Sequence, residues 1–141
     1  MAAAMVLGTL TACAPVTEES VSLAGTSWTV TALEGQAPLD GRGGAPTLVF
    51  NAEGGVAGST GCNRYSGGAE EGADWSLAIG GEEGALVTTK MACTPLLMAQ
   101  ETRMTAALVR VARYEIAADG RLRLTDDAGA AVLEATPAEA E

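Results

Sequence analysis

Chemistry in this chain concentrates in two short clusters, Gly61-Cys62-Asn63-Arg64-Tyr65-Ser66-Gly67 and Thr89-Lys90-Met91-Ala92-Cys93, and in a third cysteine that closes Leu10-Thr11-Ala12-Cys13. Cys13 stands where a bacterial lipoprotein signal is cut, immediately ahead of the cysteine whose sulfur carries the lipid. Ala2 to Leu10 is an uncharged apolar run at the short end of a secretory h-region, about 7 to 15 residues. It falls short of the roughly 20 residues that span a bilayer. No Lys or Arg precedes it, a departure from the usual basic start. With Cys13 lipidated, Cys62 and Cys93 remain, and two thiols can form a structural disulfide, cycle as a redox pair or bind a metal. A redox pair of the thioredoxin type has Cys-x-x-Cys spacing, which is missing. A structural zinc site normally takes four ligands, and two cysteines in a chain without histidine fall short of that.

Asn63-Arg64-Tyr65 sets an amide, a fork-shaped donor and an aromatic beside a glycine-rich turn, a combination that can hold a carboxylate or a sugar. The same residues fit a structural role, with Asn63 bonding nearby backbone and Arg64 pairing with Glu101 or another acid, and that role is the one expected. The acidic runs Glu70-Glu71, Glu82-Glu83 and Asp126-Asp127 lack the alternating ligands of an EF-hand loop and read as solvated. No Gly-x-Ser-x-Gly elbow or Ser-x-x-Lys motif activates a serine. Catalysis is therefore not expected, nor is any metal or cofactor.

A net charge of -10 repels phosphate backbones and anionic headgroups, so nucleic acid is excluded as an expected partner and membrane contact falls to the acyl chains. The absence of histidine removes the commonest general base.

Strand patterns must position these clusters. Trp28 to Leu33 alternates, Thr47 to Phe50 is a β-rich run, Val56 to Gly58 follows a turn, and a short strand is expected from Cys62 through Tyr65. Trp75 to Ile79 and Ala85 to Thr89 read as an antiparallel pair linked by residues 80–84. Tyr114 to Ala117, Leu122 to Leu124 and Ala131 to Leu133, separated by Asp119-Gly120 and Ala128-Gly129, form a meander. Thr94 as N-cap and Pro95 at the first position open one helix, with Leu97, Met104, Leu108 and Val111 at helical spacing. Glu101 falls on that apolar face and needs a donor or a route to an edge. Met98 and Met104 read as core fill, and Trp28 and Trp75 as core or barrel-end packing. The fold class is mainly β (α+β): a curled antiparallel sheet or partly open barrel of about eight strands with one α-helix near residues 95–111.

In order and spacing, Leu23 to Trp28, Gly58, the Gly61-Cys62-Asn63 cluster, the Met91-Ala92-Cys93 cluster, Glu101 and the Tyr114 to Leu124 hairpin resemble the META-domain (HslJ-like) family. That resemblance implies a small antiparallel β domain with one helix, usually exported and often a lipoprotein. Some members are linked to heat shock, motility, virulence or novobiocin tolerance, and no catalytic set is established for the family. Cys62 and Cys93 match its two cysteine positions, which implies a disulfide worth about 3 to 4 kcal/mol by loop entropy.

The layout expected is a lipoprotein signal peptide over 1–12, a lipid-anchored tether over 13–22, the META-like domain over 23–135 and an acidic tail over 136–141. Ala14 after the acylated cysteine, where Asp would retain the chain at the inner membrane, favours the outer membrane facing the periplasm. The function expected is that of a non-catalytic envelope accessory factor in stress or antibiotic tolerance, working through an envelope protein partner. The alternatives are a carrier of a small apolar ligand, which needs an apolar cavity, and a hydrolase using the acidic clusters, which needs an acidic cleft.

Overall fold

The computed structural model describes residues 21–80 and 85–138. The expected signal peptide, Cys13, most of the expected tether, Glu82-Glu83 and the last three residues lie outside that range. Nine strands and one helix follow in order: β1 (Ser27–Leu33), β2 (Thr47–Phe50), β3 (Gly55–Ser59), β4 (Arg64–Glu71), β5 (Leu77–Ile79), β6 (Val87–Thr88), α1 (Pro95–Val109), β7 (Arg113–Ile116), β8 (Leu122–Thr125) and β9 (Ala131–Pro137). The sheet order is β5-β4-β3-β2-β1-β9-β8-β7, with every pairing antiparallel. Its two edges nearly meet. Leu77 N donates to Ala112 O at 3.0 Å and Tyr114 N to Trp75 O at 2.9 Å, so a barrel closes except for this one seam.

Period-two burial builds the interior. Trp28 and Val30 face inward on β1, then a register shift between Val30 and Ala32 against β9 turns Leu33 inward as well. Leu48, Val56, Tyr65, Leu77, Leu122, Leu124 and Leu133 fill the lumen, each 2% exposed or less. A buried leucine contributes about 1.5 to 3 kcal/mol relative to an exposed one, so this lining is the main source of stability. It also occupies the space that a carrier would keep for a ligand. α1 packs against β9 and β5 and buries Gln100, Met104, Ala107 and Leu108. Among the described residues no helix is long and apolar enough to cross a membrane.

The mainly β architecture with one helix is as the sequence implies, and five details differ. β4 runs from Arg64 to Glu71, because Cys62 belongs to the turn before it while Ser66-Gly67-Gly68 stays in the ladder with β3. β5 and β6 do not pair with each other; both pair with the long β4. Trp75 precedes β5, since Asp74 and Trp75 take left-handed φ values of 58° and 63°, and its ring packs edge-on against Tyr114 at 5.2 Å. The helix ends at Val109 with Arg110 as cap. β9 extends past residue 135 to Pro137, held by Ala138 N donating to Ser27 O at 2.9 Å, so the first residues assigned to the tail are strand.

Candidate functional site

The turn between β3 and β4 is built by one threonine. Thr60 Oγ1 accepts from Cys62 N at 3.2 Å and Asn63 N at 3.0 Å, and the same oxygen lies 3.1 Å from both Asn63 O and Glu101 Oε1, the two acceptors open to its single proton. Gly61 enters this turn at φ 95°, a conformation that costs an L side chain.

Asn63, 4% exposed, then works as a substitute for a strand. Its Oδ1 accepts from Met91 N at 2.6 Å and Thr89 Oγ1 at 3.0 Å, while Nδ2 donates to Met91 O and Glu101 Oε2, both at 3.2 Å. One amide thus satisfies both backbone groups of Met91, which no neighbouring strand reaches. The Cys62–Cys93 disulfide, with Cα atoms 5.8 Å apart, closes the far end of the same segment. Thr94 caps α1 immediately afterwards, accepting from Leu97 N at 3.4 Å.

Gln100, 3% exposed, does for residue 39 what Asn63 does for residue 91. Its Oε1 accepts from Leu39 N at 2.7 Å, and Nε2 donates to Leu39 O at 3.1 Å and Thr60 O at 2.9 Å. The 39–44 loop is thereby drawn onto the turn, so close that a Cβ on Gly41 would fall 1.6 Å from Gly61 O. Nothing in the cluster singles out Gln100 by type. Its signal is position, four residues before Met104 and eight before Leu108 on the buried stripe.

The four residues of the expected cluster separate. Asn63 and Glu101 meet, but Glu101 takes its hydrogen bonds from Asn63 and Thr60, not from Arg64, which is exposed at the start of β4. Alternation explains this, because Asn63 and Tyr65 point inward and place Arg64 on the outer face. Tyr65 is core: its hydroxyl donates to Thr47 O at 2.7 Å, and burial raises the phenol pKa above its ordinary value.

Three grooves surround this end. One of about 280 Å³ contains Arg64 and Val87, one of about 270 Å³ contains Lys90, Met91, Met98 and Glu101, and one of about 170 Å³ contains Arg42 and the disulfide. Met98, expected in the core, is 46% exposed. Two of the acidic runs contribute a residue with a local structural role: Glu71 accepts from Ser22 Oγ at 2.8 Å, and Asp126 Oδ1 accepts from Ala128 N at 3.0 Å and Ala130 N at 2.9 Å. Among the described residues no group of three or more Cys, Asp or Glu is placed to hold a metal.

The family model of the META domain matches residues 21–139. No curated protein matches the chain significantly. An NMR structure of a protein from Burkholderia xenovorans is similar at 24% identity, with a TM-score of 0.64, covering 92% of this chain and 99% of that one. A second NMR structure is similar at 22% identity and a TM-score of 0.61, covering 81% and 90%. A crystal structure of a DUF4847 family protein from Bacteroides vulgatus is 14% identical with a TM-score of 0.54, covering 84% and 96%. These likenesses share the fold alone. The match spans every described residue and contains both cysteine clusters, and the chain belongs to the META-domain family.

Proposed function

We propose that this protein is a lipid-anchored, non-catalytic envelope factor, held in the outer membrane through Cys13, that supports stress or antibiotic tolerance by contact with another envelope protein. The observation that carries this reading is the surface at the disulfide end. Of the eight large hydrophobic residues exposed among those described, Val87, Met91 and Met98 line two grooves that share Thr88 and Thr89, and Leu96 falls in the same segment of twelve residues. Exposed apolar side chains scattered over a surface need no explanation, but a cluster on a rigid segment marks a contact site. Here the rigidity comes from Asn63, the disulfide and the capped helix. The filled lumen weighs against a carrier, and the turn roles of Glu71 and Asp126 weigh against a hydrolase.

The test has two arms. Mass spectrometry of the membrane fraction is expected to find acylated Cys13 at the N-terminus; only soluble protein still beginning at Met1 would remove the anchor. In a deletion strain challenged with heat or novobiocin, the wild-type chain is expected to restore growth. A Val87→Asp, Met91→Asp variant with unchanged melting temperature is expected to fail, and full rescue by it would end the contact reading.

A further inference from the structure

We propose that the surface along residues 87–97 binds an extended, acidic segment of the partner that carries apolar side chains at intervals. This rests on the contact reading above and adds the chemistry of the partner. The three grooves form one path: the two beside Arg64 and Lys90 share Thr88 and Thr89, and the two beside Lys90 and Arg42 share Ala92.

Each groove carries one exposed cation, Arg64, Lys90 or Arg42, in a chain whose net charge is -10. The ion pairs of the described residues use Arg110, Arg121 and Arg123, so none of the three groove cations is neutralised by one. Among the described residues that line the path the acid is Glu101, and its two oxygens already accept from Thr60 and Asn63. The path is thus locally cationic on an acidic protein, which steers and orients a negative partner and disfavours a positive one.

Extension follows from the backbone. β6 pairs with β4 through Thr88 and Val87 and, among the described residues, with no strand on its other side. That open edge can accept one more strand, whose alternate side chains would meet the apolar surface of Val87 and Met91. Apolar contact supplies the affinity, while the cations choose the partner. A phosphate backbone would meet the same cations but leave Val87, 73% exposed, and Met91, 50% exposed, without a counterpart.

The experiment places a benzophenone amino acid at Val87 or Leu96 of the full-length chain in living cells and sequences the cross-linked peptide. Adducts to a peptide of net negative charge containing aliphatic residues are expected. An Arg42→Glu, Arg64→Glu, Lys90→Glu variant with unchanged melting temperature is expected to lower the yield about tenfold, in line with electrostatic steering. Adducts to basic or uncharged peptides, to lipid or to a second copy of this chain would overturn the partner chemistry, as would a yield indifferent to charge reversal. No adduct at either position above that of a probe at Asp119 would overturn the contact reading with it.

Discussion

Glu101 Oε2 and Asn63 Nδ2 lie 3.2 Å apart, while the neighbouring Arg64 lies exposed on the outer face of β4. A neutral amide, not a guanidinium, answers the carboxylate on the helix. This lowers what the carboxylate is worth, since no buried ion pair is broken when it is removed. Asn63 also keeps its bonds to Met91 and Thr89 when Glu101 is gone. Asn63→Ala is therefore expected to destabilise more than Glu101→Ala, by about 2 to 4 kcal/mol against about 1, because it orphans the Met91 N–H and C=O. Urea unfolding of the two variants checks the order, and the reverse order would show that the carboxylate organises the site.

The disulfide bounds the same segment. Cys62 and Cys93 are separated by 31 positions, and closing a loop of that length restricts the unfolded chain by about 3 to 4 kcal/mol on the entropy model. A Cys62→Ala, Cys93→Ala variant is expected to lose that much stability in urea unfolding and to keep its β-sheet signal in circular dichroism. The barrel core is untouched by the change. A loss of all β signal would mean that the core cannot stand without the tie.

Much of this architecture is legible in sequence because it follows local patterns. β7 and β8 alternate apolar and polar residues on either side of a turn signal, β2 is a short β-rich run, and Thr94-Pro95 announces α1. The misread parts are those decided by distant partners. Ser66-Gly67-Gly68 looks like a loop, yet it is strand because β3 pairs alongside it. Met98 has the spacing of a core residue, but the helix turns it toward the groove, where Met91 also lies. Asn63 and Gln100 are polar residues whose burial is tolerable only because each meets a backbone segment 28 or 61 positions away. Periodicity contains no record of such pairings.

Tyr65 makes the stability of the barrel sensitive to alkali. Burial disfavours the phenolate, so the folded pKa is raised above the unfolded value of 10.0. Below pH 10.0 both states keep the proton and stability is intact; above it the unfolded chain releases the proton while the folded chain retains it, so stability falls as pH rises. Tyr65→Phe is expected to cost about 1 kcal/mol near neutral pH through the lost bond to Thr47 O. It is also expected to flatten the alkaline decline in urea midpoints measured from pH 8 to about pH 11. A decline as steep in the variant as in the wild type would assign the alkaline transition to other groups.

The three described methionines divide by exposure, not by sequence pattern. Met91 is 50% exposed and Met98 46%, whereas Met104 is fully buried on α1. Hydrogen peroxide oxidises a thioether by transferring one oxygen atom to sulfur and leaving as water, and the rate follows access to the sulfur. Peptide mapping of the folded protein after peroxide treatment is expected to find sulfoxide at Met91 and Met98, with Met104 modified only when urea is present. Because neither exposed sulfur supports the core, the melting temperature is expected to hold within about 2 °C, a shift of under about 1 kcal/mol. The proposed contact surface would nevertheless turn polar, so the oxidised protein is expected to cross-link poorly from position 87. Equal oxidation of all three in the native state would place Met104 in a part of the helix that opens readily, contrary to its packing.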